Sequence, residues 1–214
     1  MEILIGLAIL IFSAILHEVS HGFVADKLGD PTARLMGRLT LNPKSHIDPM
    51  MSIALPLLLI LSGSPVIFGA AKPVPVDPFN LKEGRKDMAL VALSGPLTNI
   101  ILAIIAALLL RLFNLVSFEN ISTFFILNTV YFILHTIVAY NLLLAIFNLL
   151  PIPPLDGSKV FALLLPEKEA NAYLSLGSIG MFILFFLLLF PIGGFSLGSF
   201  VFNLLTLGKN LLLP

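Results

Sequence analysis

The chain has 214 residues, 58% of them hydrophobic and 11% charged, with twelve basic residues balancing twelve acidic ones and a mean hydropathy of +1.05. A water-soluble domain carries roughly twice that charge, and a nucleic-acid binder needs a basic excess that a net charge of zero does not supply. The absence of cysteine excludes disulfides, thiolate zinc sites and cysteine nucleophiles, and leaves His, Asp and Glu as the available metal ligands.

The first apolar run, residues 3–16, continues helically through residue 25. No Lys or Arg precedes it and no small-residue cleavage site follows it, so it is expected to stay as a membrane helix instead of leaving as a signal peptide. The polar cluster that interrupts it is His17-Glu18-Val19-Ser20-His21. Positions i and i+4 share a helix face, so both imidazoles can reach one metal ion. Glu18 is rotated from them by about 100°, which suits contact with a water beside the metal better than ligation. This is the mechanical content of the HExxH pattern, with the glutamate as general base. Ionisable side chains on an apolar helix mark function by default; the bland alternative is polar residues at a membrane interface.

Residues 32–41 (TARLMGRLTL) and 66–76 (VIFGAAKPVPV) carry β-branched or alternating residues with Gly and Pro, which predicts short irregular strands beside the membrane. Between them, residues 49–71 are uncharged but broken by Pro56, Gly63, Pro65 and Gly69, which suits a short span or a re-entrant hairpin. Lys27, Arg34, Arg38 and Lys44 precede that stretch, and Lys72, Lys82, Arg85 and Lys86 come after it. The positive-inside rule puts both groups in the cytoplasm, which favours the re-entrant reading and places the N-terminus outside.

Residues 88–110 form the next uncharged run, and residues 112–120 carry only Glu119, as suits the outer side. The run 121–155 leads back to Lys159 and Lys168 inside. Residues 170–208 are uncharged again, divided by Pro191, Gly193 and Gly194 into a strong span and a weaker terminal one. Spanning needs about 20 apolar residues. The expectation is an α-helical polytopic membrane protein with about five to six transmembrane helices and short membrane-associated β-strands or a re-entrant loop. It reads as a single domain over 1–214, with a core over about 1–166, C-terminal hydrophobic helices over about 170–214 and no fixed-period repeat.

A catalytic zinc takes three protein ligands and leaves one place for water. Asp156 is the best candidate for the third, because the first helix runs inward to HEVSH and the 121–155 run also travels inward and ends beside Asp156. Its alternative use is to cap the short helix that begins near Ser158. Asn148, just before Pro151, Pro153 and Pro154 interrupt the helix, could give an amide N–H to a developing oxyanion or simply bond between helices. Asn99 follows Gly95-Pro96, where small residues allow helices to approach closely, and packing is its expected role. His46, near Asp48 in the cytoplasmic loop, could approach the metal or bond locally. His135, between Tyr131 and Tyr140, suits an interhelical hydrogen bond.

HEVSH at 17–21, GRLTLNP at 37–43 with HIDP at 46–49, AKPVPV at 71–76, SGPLTN at 94–99 and NLLPIPPLDG at 148–157 together resemble the site-2 protease family of intramembrane zinc metalloproteases, from about residue 13 to 166. The resemblance implies one Zn2+ per chain held by His17, His21 and Asp156, with Glu18 as catalytic base and Asn148 and Asn99 at the active site. It also implies a transmembrane regulatory protein as substrate, hydrolysed in or near its membrane segment. The chain resembles a compact form, without a PDZ insertion or a nucleotide-sensing domain. A multi-pass protein of a prokaryotic cell membrane, with its active site near the cytoplasmic face and no nucleic-acid partner, is the expectation. The rivals are a membrane metal-ion transporter, against which the missing paired repeat argues, and a catalytically silent adaptor, against which the intact Glu18 argues.

Overall fold

The protein is described by a computed structural model covering residues 2–54, 57–58, 61–62, 71–114 and 121–213. Its helices are α1 (Glu2–Leu28), α2 (Thr32–Leu35), α3 (Arg85–Asn114), α4 (Ile121–Asn148), α5 (Asp156–Phe161), α6 (Glu167–Ser175), α7 (Gly177–Leu189) and α8 (Leu197–Leu212). Helices α1, α3 and α4 pack on one another, α5 sits against α3, and α8 closes on α4.

The composition of these contacts is inverted relative to a water-soluble core. On α3, Ile101, Ile105, Leu108 and Leu112 point outward and stay about half exposed, whereas Ala103, Ala106, Ala107 and Leu110 are buried against Val138 and Leu142 of α4. Lipid is as apolar as leucine, so large side chains gain little by leaving it, and small ones let backbones approach closely. That is how a chain with 58% hydrophobic residues keeps an α3–α4 contact in which half of the buried side chains are alanine.

Among the described residues three helices are long and apolar enough to cross a membrane: α1, α3 over Arg85–Phe113, and α4 over Leu127–Asn148. A fourth crossing results if α6 and α7, bent by 71°, span together. The weaker terminal run becomes α8, whose 16 residues fall short of the roughly 20 that a perpendicular crossing needs. The expected strands do not form among the described residues. Residues 32–35 take a helical turn instead, because Pro31 presets a helical φ just ahead of them. Residues 71–77 form no ladder, and Pro73 and Pro75 push the residues before them toward extended backbone. The single bridge among the described residues, Ile192 with Phe195, closes a tight turn. Residues 63–70, with the first part of the second expected strand and much of the 49–71 stretch, lie outside the described residues, as does Glu119.

The segment beyond α1 is tied down by a buried charge. Gly29 leaves the helix at φ +117°, and the next residue, Asp30, is fully buried. The Asp30 carboxylate accepts from the Thr32 hydroxyl and backbone N–H, from Asn80 Nδ2 at 3.0 Å and from the Asp77 N–H at 2.7 Å, joining the end of α1 to the loop before α3. Burial alone would raise its pKa; the bonds from Thr32, Asn80 and Asp77 outweigh it and hold the carboxyl below its ordinary value of 3.8. A depressed folded-state pKa means stability that is fully present above the unfolded-state value and is lost as pH falls through the folded one. Asp30→Ala should lower stability by about 2 kcal/mol through the donors it orphans. Asp30→Asn should unfold with a weaker pH dependence below about pH 4 than wild type, as followed by thermal melts across an acid series.

Two arginines place the elements around the polar end of α1. Arg85 donates to the carbonyls of Ala162 and, at 2.9 Å, Leu165, fixing the turn that carries α5 against the start of α3. Buried Arg38 donates to the carbonyls of Lys72 and Pro73 at 3.0 and 3.2 Å and holds the extended segment 71–76 across α1.

Candidate metal centre

Ser13, His17 and His21 succeed one another at intervals of four along α1 and are all buried. The prolines at 151, 153 and 154 prevent α4 from continuing, and α5 restarts with Asp156 as its first residue. The residue that caps α5 is Leu155, with no side-chain cap bond, so Asp156 is not serving as the cap that its position in the sequence allows. Its carboxylate turns to the two histidines: Oδ2 lies 3.1 Å from His17 Nε2 and 3.1 Å from His21 Nε2. One ligand atom from each of the three residues lies within 4.8 Å of the others.

The far nitrogen of each ring shows what these near atoms are. His21 Nδ1 lies 2.7 Å from the Val91 carbonyl, which can only accept. His17 Nδ1 lies 2.6 Å from Asn99 Oδ1, also an acceptor. Both rings therefore carry their proton on Nδ1 and present a bare lone pair at Nε2. Two lone pairs facing one carboxylate oxygen repel unless a cation sits among them. The donor set of two imidazole nitrogens and one carboxylate oxygen, with its outer nitrogens hydrogen-bonded, fits a zinc site with an open fourth position. The other carboxylate oxygen, Oδ1, receives Lys159 Nζ at 3.1 Å, which leaves Oδ2 to face the imidazoles. The Lys159 ammonium beside Oδ1 favours the ionised carboxylate against the cost of burial.

Helix α3 forms the wall behind the rings. A Cβ on Gly95 would stand 2.5 Å from both His17 Nε2 and His21 Cε1, closer than any real carbon contact, so this position has room only for hydrogen. Glu18 is not among the three converging groups; its Oε2 accepts the Val74 N–H at 2.9 Å from the segment that Arg38 holds. Asn99 is fully buried against His17, a tighter role than the packing expected of it.

Asn148 is not joined to this cluster: its amide donates to the Leu144 carbonyl at 3.0 Å, one turn back in its own helix. His46 donates from Nε2 to the Thr40 carbonyl at 2.8 Å, the local bond expected of a loop histidine. His135 stacks on Tyr131 at 6.1 Å between ring centroids. Ser13, Asn141 and Lys159 also surround the site from outside the quoted motifs, and Val74 and Gly95 from inside them, although spacing alone gives none of the five a role at the site. Two of them carry a usable signal: Ser13 is one turn before His17, and Asn141 is an amide inside an apolar span, where a polar group needs a partner.

Comparison with known proteins places the chain in a family. The model of the family described as Peptidase family M50 matches residues 5–191. The Bacillus subtilis protein YwhC, named as a zinc metalloprotease, is 37% identical over 188 residues, which cover 88% of this chain and 81% of YwhC. Rip2 of Mycobacterium tuberculosis, also named as a zinc metalloprotease, is 33% identical over 180 residues, 82% of this chain and 62% of Rip2. Rip2 of Mycolicibacterium smegmatis is 32% identical over 151 residues, so the chain spans between half and two thirds of these mycobacterial relatives. No solved structure matches the chain. With the converging histidines and aspartate and most of the helical bundle inside the matched region, the chain belongs to peptidase family M50, the site-2 proteases.

Proposed function

We propose that this protein is an intramembrane zinc metalloprotease that cuts regulatory proteins within or near their transmembrane segments, with His17, His21 and Asp156 holding the metal and Glu18 as general base. The observation that carries the reading is the convergence of two unprotonated imidazole nitrogens on one carboxylate oxygen, in the C-terminal half of apolar helix α1. Bound there, zinc supplies Lewis acidity to the attacking water and the scissile carbonyl. Glu18 takes the water's proton on the oxygen that Val74 does not occupy and passes it to the leaving amine. Asn148 would assist the oxyanion only after releasing the Leu144 carbonyl.

A transmembrane helix hides its peptide bonds in its own hydrogen bonds, so it must unwind before attack. The extended segment 71–76 lies against Glu18, and strand pairing along it is how such a stretch would be received beside the general base. The basic residues of 27–44 and 72–86 support a cytoplasmic position for the site. The reading is tested by metal content. Asp156→Asn should lose zinc from the purified protein with little change in helix content, because the amide is a poor substitute for an anionic ligand and no cap is removed. Tight zinc binding by Asp156→Asn would place the third ligand elsewhere.

A further inference from the structure

Beneath His17 lies a run of buried polar groups that the reaction itself does not use. Asn99 of α3 and Asn141 of α4 are fully buried, and Ser13 of α1 nearly so. Asn141 Nδ2 donates to the Ile137 carbonyl at 2.9 Å and to Ser13 Oγ at 2.9 Å. Asn99 Nδ2 donates to Asn141 Oδ1 at 2.7 Å and reaches the Ser13 carbonyl at 3.4 Å. Asn99 Oδ1 then meets His17 Nδ1 at 2.6 Å. An amide has one accepting and one donating end, so the direction of this chain is set at its base. A backbone carbonyl can only accept, and both amides turn their NH2 groups toward one, Ile137 for Asn141 and Ser13 for Asn99. That leaves each oxygen pointing up the chain, the last of them at the imidazole.

We propose that Asn141 and Ser13, acting through Asn99, are positioning residues that fix which nitrogen of His17 faces the metal. An oxygen at the top of the chain requires a proton on Nδ1 and leaves Nε2 bare. If the Asn99 amide turned over, its NH2 would face Nδ1, which would have to become the lone-pair nitrogen, and the proton would sit on Nε2 toward Asp156, where no metal can then bind. The inference rests on His17 being a ligand and adds residues that make it a competent one. Hydrogen-bond partners of metal-bound histidines change affinity by about 10- to 100-fold when removed.

The test is zinc affinity of the full-length protein in detergent, by competition with a chromophoric chelator, with the absorption spectrum of the cobalt-loaded protein as a second readout. Asn141→Leu and Asn99→Leu should each weaken zinc by about 10- to 100-fold and alter the cobalt spectrum. Asn141→Asp and Asn99→Asp, which keep an accepting oxygen facing up the chain, should stay within a few-fold of wild type. A purely packing role gives the reverse order, because leucine suits an apolar interior and a buried carboxylate does not. Wild-type affinity in the leucine variants, or aspartate variants weaker than leucine ones, overturns the proposal. Should Asn99→Leu fail to fold, the two Asn141 variants decide by the same comparison. His17→Ala separates the two levels: if it loses zinc while the leucine variants keep it, the positioning role alone falls; if it holds zinc like wild type, the metal centre falls as well.

Discussion

Glu18→Gln should abolish release of a cleaved fragment from a co-expressed single-pass membrane substrate while zinc content stays at the wild-type level. A missing general base lowers rates by about a hundredfold or more, and the change leaves His17, His21 and Asp156 intact. The structure makes this substitution cleaner than the motif alone would. Glu18 Oε2 accepts the Val74 N–H, and the glutamine carbonyl oxygen can accept it as well, so segment 71–76 keeps its seat and only proton acceptance is removed. The measurement is fragment release across a panel of single-pass regulatory proteins, beside zinc content of the purified variant. Wild-type release by Glu18→Gln would remove Glu18 from the mechanism.

The second large effect is expected from the addition of one methyl group. Gly95→Ala would place a carbon 2.5 Å from His17 Nε2 and 2.6 Å from His17 Cε1, with His21 Cε1 equally near. Neither ring can step aside without loss: His17 is bonded to Asn99 and His21 to the Val91 carbonyl of the same helix that carries residue 95. Overpacking of a close-fitted site costs about 1–3 kcal/mol, equivalent to roughly ten- to a hundredfold in zinc affinity if it falls wholly on the metal-binding state. Zinc should be lost to a chelator that wild type withstands, and proteolysis should fall with it. Leu97→Ala, at a half-exposed position two residues away, should do neither. Unchanged zinc affinity in Gly95→Ala would show that α3 yields and that the rings are not confined by it.

The metal-ligand candidates are legible in the sequence because their geometry is local or comes from topology. Spacing of i and i+4 pairs the histidines without any knowledge of the fold, and counting membrane crossings brings the end of the 121–155 run back to their depth. How their supports pair is not legible, because those contacts run between helices. Nothing near Asn141 in the sequence points to Ser13, 128 positions earlier, and Gly95-Pro96 reads as a generic close-packing pair although the space it leaves is filled by two imidazoles. The strand expected at 32–41 fails for the opposite reason: alternation is visible, but a strand needs a partner, and a local helical turn satisfies the same backbone with bonds such as Met36 N–H to the Thr32 carbonyl. Among the described residues the candidate spans number three or four; five to six were expected, one of them over the 49–71 stretch that lies largely outside those residues, and the bend between α6 and α7 is invisible to hydropathy, which measures apolar length alone.

Helix α1 meets its neighbours through buried polar contacts on successive turns, Ser13 with Asn141, His17 with Asn99 and His21 with the Val91 carbonyl. Turning α1 by one residue, about 100°, would break all three together and leave their partners unsatisfied in an apolar interior, at a penalty of several kcal/mol. The helix therefore has one working register, and α1, α3 and α4 behave as an anvil whose face does not give. A peptide that reached the proposed metal site would meet a face pinned at three successive turns, so the deformation that exposes its peptide bond would have to be its own.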